Sequence, residues 1–145
     1  MDIICDIDGT IADCTHRLHH IKNKPKNWFK FCIELKNDTL IKEIHDLVFA
    51  LTMMNHRIIL CTGREEKHRN ATVQWLKEHV SFPWEKLYMR GFNDYRQDGI
   101  TKLDLLKQMR LDGYNPVLAI DDRDTVCKAF RSTGLIVLQC SEDIF

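Results

Sequence analysis

No apolar run in this chain approaches the ~18 residues that cross a bilayer, and its first residues lack the basic-then-apolar layout of a secretory leader. A membrane span and a secreted product are therefore not expected. Net charge is also absent: 21 Lys and Arg balance 21 Asp and Glu. That balance removes any global attraction to a polyanion and leaves only local patches to consider. Six cysteines (Cys5, Cys14, Cys32, Cys61, Cys127, Cys140) form no Cys-x-x-Cys pair, and several sit in apolar runs. Reduced core thiols in a cytoplasmic setting are expected in place of disulfides or zinc. Linkers, repeats and low-complexity stretches are missing too, and 145 residues match the ~100–150 of a typical domain. Residues 1–145 should form one domain whose core needs no staples.

What is present alternates. Strands are predicted at Asp2 to Asp6, Arg57 to Cys61, Lys86 to Arg90, Pro116 to Asp121 and Leu135 to Gln139, all short and rich in Ile, Leu or Val. Helical spacing separates them. Ile41, Ile44, Leu47, Val48 and Leu51 mark one amphipathic face, with Asp38 or Thr39 as its N-cap; Val73 to Val80, Leu103 to Arg110 and Thr125 to Ser132 supply three more helices. Such alternation implies right-handed crossovers and a parallel sheet covered on both faces, with ligands bound beyond the carboxyl ends of the strands.

Chemistry-bearing residues stand at those ends. The first strand leads into Asp6-Ile7-Asp8-Gly9-Thr10, where the i, i+2 spacing puts two carboxylates on one side and Gly9 permits a sharp turn. The second ends in Thr62-Gly63-Arg64 and the fourth in Asp121-Asp122-Arg123, while Asp98 and Lys102 open the helix after the third. A phosphate monoester suits this set. Asp6 with Asp121, aided by Asp122, can hold a hard, oxygen-liganded Mg2+, and without a cation the paired acids would repel each other and the substrate. Asp6 is then the nucleophile, giving an aspartyl-phosphate, and Asp8 the acid that protonates the leaving oxygen and later takes a proton from water. Thr62, Gly63 and Lys102 would grip phosphoryl oxygens where transition-state charge spreads. Asp98, four residues before Lys102, is placed to steady its ammonium.

These ordered segments resemble the four motifs of haloacid-dehalogenase (HAD) type phosphatases. Over nearly its whole length the chain is similar to the 3'-phosphatase domains of bacteriophage polynucleotide kinases, most closely at Leu118 to Arg123, continuing through Val126, Phe130-Arg131, Gly134 and Gln139 to Asp143-Ile144-Phe145. The resemblance implies a Rossmann-like three-layer α/β sandwich with a five-stranded parallel sheet, its strands ordered 5-4-1-2-3, and at most a minimal cap. It further implies substrate-phosphate roles for Arg17 and Arg64, a supporting role for Asp98, and metal ligation by Asp6, Asp121, Asp122 and the backbone carbonyl of Asp8. Host-cell cytoplasm would be the setting of a phage-encoded form. No Gly-x-x-x-x-Gly-Lys-Ser/Thr loop occurs, so no kinase half is expected in this chain.

Substrate is less well marked. A full cap does not fit between Asp6 and Thr62, because only a short insertion at about 14–38 remains once the following helix is placed. An open site favours a polymer end or a nucleotide. From Cys14 to Ile33 there is no carboxylate, whereas Arg17, Lys22, Lys24, Lys26, Lys30 and three histidines crowd around Trp28 and Phe29. Basic groups interleaved with aromatics suit backbone phosphates and bases, unless Trp28, Phe29 and Phe31 turn into the core beneath a solvated loop. The expected partners are phosphorylated nucleic-acid ends or free nucleotides. A phosphoryl-accepting or non-catalytic phosphate-binding module is the rival from another class; Asp8, an acid two residues beyond the nucleophile, favours turnover.

Overall fold

A computed structural model describes residues 1–143. Ile144 and Phe145, where the resemblance ends, lie outside the described residues. The chain runs β1 (Asp2–Cys5), β2 (Ala12–Asp13), α1 (His19–Lys22), α2 (Trp28–Ile33), β3 (Thr39–Leu40), α3 (Lys42–Met53), β4 (Arg57–Glu65), α4 (Arg69–His79), β5 (Lys86–Arg90), α5 (Asp98–Leu111), β6 (Pro116–Asp121), α6 (Asp124–Ser132) and β7 (Ile136–Gln139). Short 3-10 turns at Thr15–Arg17, Glu34–Asn37 and Glu66–His68 join several of them.

Five strands form one parallel sheet in the order β5-β4-β1-β6-β7. Counted alone they keep the expected neighbours. The detail that differs is a second, two-stranded sheet, β2 antiparallel to β3, which pairs Ala12 with Leu40 and Asp13 with Thr39. Alternation along β1 explains the layering: Ile3 and Cys5 enter a core with Val48 of α3 and Trp75 and Leu76 of α4, while Ile4 enters another with Leu106 and Met109 of α5 and Phe130 of α6. Helices thus cover both faces. Among the described residues, no helix is long and apolar enough to cross a membrane, and all six cysteines are free.

Two local expectations need correction. The helix that follows the insertion has Ile41 at its cap position with no side-chain cap, because Thr39 is drawn into the β2–β3 pair and the Asp38 carboxylate is turned inward onto arginines. The second sheet strand also continues past Cys61 to Glu65, with a register break between Thr62 and Glu65. That extension carries Thr62, Gly63 and Arg64 along the strand itself, at its carboxyl end.

Candidate active site

The carboxyl edge of the sheet gathers residues from four elements. Asp6 follows β1, its amide donating to the Ile120 carbonyl at 3.0 Å, so it is pinned to the strand that carries Asp121. Asp6, Asp121, Asp122 and Lys102 are each at most 4% exposed. Lys102, one turn into α5, donates from Nζ to Asp6 Oδ1 at 2.7 Å and to Asp121 Oδ2 at 2.8 Å. Thr10 adds a longer bond to Asp6 Oδ2 at 3.4 Å.

Charge is unbalanced there. Three carboxylates, Asp6, Asp121 and Asp122, each offer an oxygen within 4.8 Å of the others. Burial pushes the Asp6 carboxyl well above the usual carboxylate range, with Asp121 and Asp122 adding to the rise against the pull of Lys102. Burial and then Asp121 likewise push Asp122 up to about 6. Asp122 Oδ2 is buried and has no hydrogen-bond partner. An orphaned buried oxygen facing two more acids is the donor set a hard cation satisfies, so these residues fit Mg2+. Gly9 permits the crowding. Its φ is +80°, and a Cβ there would stand 2.2 Å from Asp122 Oδ2.

Asp8 is clamped from the other side. Arg64 donates to Asp8 from Nε at 3.0 Å and from Nη2 at 2.6 Å, and Arg17 Nη2 donates at 2.7 Å. Burial would raise the Asp8 carboxyl, but Arg64 and then Arg17 outweigh it and hold the group well below the usual range. Behind the arginines lies Asp38, 1% exposed, which accepts from Arg17 Nε and Nη2 at 2.8 and 2.7 Å and from Arg64 Nη2 at 3.1 Å. His16 Nε2 reaches the same carboxylate at 2.8 Å. Arg17 and Arg64, which the resemblance assigned to the substrate phosphate, thus have their guanidiniums engaged with Asp8 and Asp38 in this structure.

Asp98 is also placed differently. It pairs with Arg90, and with Arg123 at 2.8 Å, while the Lys102 ammonium is taken by Asp6 and Asp121. Its carboxylate occupies the space beside Gly63, where a Cβ would meet Asp98 Oδ1 at 2.8 Å. Arg90 in turn donates to the Gly63 carbonyl at 2.9 Å, so an ion pair props the Thr62-Gly63 segment. Thr62 is fully buried, with its hydroxyl accepting from the Arg64 amide at 3.2 Å. Asp38, read from sequence only as a helix cap, and Arg90 were not expected at the site. A signal existed for each: Asp38 closes a cation-rich stretch, and Arg90 ends an apolar strand on the same edge as the acids.

A family model described as the polynucleotide kinase PNKP phosphatase domain matches residues 1–145. The chain belongs to that family. As a PNKP phosphatase domain it is a HAD phosphatase, as the ordered motifs implied. Solved structures are similar along 99% of its length. One is a chain of a Pnkp1/Rnl/Hen1 complex, at 27% identity and TM-score 0.81, and another a chain of the Pnkp1/Rnl/Hen1 RNA repair complex, at 26% and 0.73. This PNKP phosphatase domain spans 46% and 43% of those chains. A hydrolase from Streptococcus pneumoniae TIGR4, of which 94% is covered at 15% identity and TM-score 0.65, shares the fold.

Proposed function

We propose that this domain is a Mg2+-dependent phosphomonoesterase that removes a terminal 3'-phosphate from DNA or RNA through an aspartyl-phosphate on Asp6. The observation that carries the chemistry is the buried Lys102 ammonium bridging Asp6 and Asp121, with the unpartnered Asp122 oxygen beside them. Asp6, Asp121, Asp122 and the Asp8 carbonyl would hold the ion. When bound, Mg2+ supplies positive charge that offsets repulsion between the substrate phosphate and the acids.

This chain's own residues do the rest. An Asp6 carboxylate oxygen attacks phosphorus in line with the leaving oxygen, and the phosphorus–oxygen bond to the substrate breaks as the aspartyl bond forms. Asp8 gives the departing oxygen its proton, then takes one from the water that attacks the aspartyl-phosphate and releases inorganic phosphate. Thr62, the Gly63 amide and Lys102 hold the phosphoryl oxygens. Arg17 and Arg64 position Asp8 in this account. Their clamp keeps it ionised at rest, which suits its service as a base; to act as an acid it must first leave their hold and take up a proton from solvent.

Support for a 3'-phosphorylated polymer comes from the family and from the relative found in an RNA repair complex. The test has two parts. Asp6→Asn protein should lose hydrolysis of p-nitrophenyl phosphate with Mg2+ present, and a wild-type rate would refute the nucleophile. Wild-type protein should prefer a 3'-phosphorylated oligonucleotide to nucleoside 3'- and 5'-monophosphates; preference for the monomers would identify a nucleotidase. A long-lived aspartyl-phosphate that releases no phosphate would instead mark a phosphoryl-accepting module.

A further inference from the structure

The stretch between β2 and β3 is built as an appendage with its own small core. Cys14, Leu18, Ile21 and Phe31 pack together there, apart from the two cores that sandwich the sheet. That interior leaves two rings out. Phe31 is 7% exposed, but its helix neighbours Trp28 and Phe29 are 55% and 73% exposed, so the inward packing open to all three rings holds for Phe31 alone.

The lysine charge on the appendage is unanswered as well. Lys22, Lys24, Lys26 and Lys30 have no ion-pair partner among the described residues; elsewhere Lys42, Lys67, Lys86 and Lys107 pair with carboxylates, while Lys77 and Lys128 are unpaired singly. The Lys26 ammonium lies over the Trp28 ring, 5.8 Å from its centroid. Exposed rings beside unpaired ammonium groups, with no acid from Cys14 to Ile33, offer a polyanion both charge and stacking surface. Few other partners use both.

Position completes the case. Trp28 meets Phe31 edge-on at 5.7 Å, the Arg17 guanidinium lies 4.3 Å from the Phe31 ring centroid, and Arg17 donates to Asp8. Arg17 also donates to the Phe31 carbonyl at 3.1 Å, fixing α2 to the site. The Trp28 ring therefore stands three contacts from the Asp8 carboxylate.

We infer that Trp28, Phe29 and the lysines flanking them form a platform for single-stranded nucleic acid, gripping the nucleotides that lead into the terminal phosphate. This rests on the polymer-end reading of the substrate given above. Bases stack on the two rings and the lysines meet phosphodiesters, a mode tolerant of sequence because every base has a π-face. The platform supplies the polymer preference that the buried phosphate site, which touches only the terminal group, cannot.

The experiment separates binding from hydrolysis. A dye-labelled single strand ending in a 3'-hydroxyl is titrated by fluorescence anisotropy into wild-type protein and into Trp28→Ala/Phe29→Ala protein, whose fold is checked by circular dichroism. The double variant should bind about tenfold or more weakly. Lys24→Ala/Lys26→Ala/Lys30→Ala protein should show a log affinity against log salt slope shallower by about 2. In parallel, the kcat/KM ratio of a 3'-phosphorylated oligonucleotide to a nucleoside 3'-phosphate should fall in the aromatic variant. Unchanged strand affinity in that variant overturns the platform, and so does inorganic polyphosphate competing as well as the strand for both proteins. Should wild-type protein hydrolyse neither 3'-phosphate, the polymer-end reading fails while the anisotropy arm still decides the platform.

Discussion

Replacing Asp38 by asparagine should destabilise the protein far more than an average substitution. The carboxylate is buried, accepts two bonds from Arg17 and one from Arg64, and among the described carboxylates shares those cations only with Asp8. Asparagine keeps the shape but removes one of two negative charges facing two guanidiniums that are 1% and 5% exposed. Breaking a buried pair from one side costs about 3–5 kcal/mol, because the stranded charge keeps its desolvation penalty without its partner. For a chain of this size that amounts to a fall in Tm on the order of 10 °C. Urea unfolding at neutral pH measures it directly. Arg17→Met added to Asp38→Asn should recover part of the loss, since the pair is then removed as a unit, and a double-mutant cycle gives the coupling. A loss below about 1 kcal/mol, the range of exposed pairs, would refute the buried-clamp account.

Two further outcomes follow from other parts of the structure. Asp8→Asn should lower kcat/KM, which reports aspartyl-phosphate formation, by roughly 10²–10⁴ on a nucleoside phosphate and much less on p-nitrophenyl phosphate, whose leaving group needs no proton; equal losses in kcat/KM on both would remove the acid role. Asp112 accepts from Lys86 at 2.8 Å, Tyr88 at 2.6 Å and Gln108 at 2.9 Å, and these bonds hold its carboxyl down at about 2. A depressed carboxylate stabilises the fold above its unfolded value near 4 and loses that contribution as pH falls toward its folded value. Asp112→Asn should therefore flatten the fall in Tm between about pH 4 and pH 2, and an unaltered acid limb would contradict the assignment.

The appendage and the site also divide the work of recognition differently. Inside, Asp6, Asp121 and Lys102 are buried and bonded to one another. Outside, Trp28 and Phe29 are exposed, and Lys22, Lys24, Lys26 and Lys30 have no carboxylate partner among the described residues. On the function proposed above, buried groups set the chemistry and exposed ones the reach along a polymer.

Much of the site was legible in the residue string because its chemistry is tied to strand ends. An apolar run that closes on Asp6-x-Asp8-Gly9, or on Asp121-Asp122, declares both the strand and the edge it feeds, since backbone periodicity alone aims the following side chains. Strand neighbours and layers followed from the same alternation. What the string could not reveal was pairing between distant charges. Asp38 looked like a helix cap and Asp98 like a brace for Lys102 because local spacing offers each a nearby partner, whereas the phosphate roles of Arg17 and Arg64 came from resemblance alone. In the folded chain, burial makes an unpaired charge costly, so each group goes to whichever opposite charge the tertiary packing brings within reach. Asp38 thereby holds the two arginines, the arginines hold Asp8, and Asp98 holds Arg90 and Arg123.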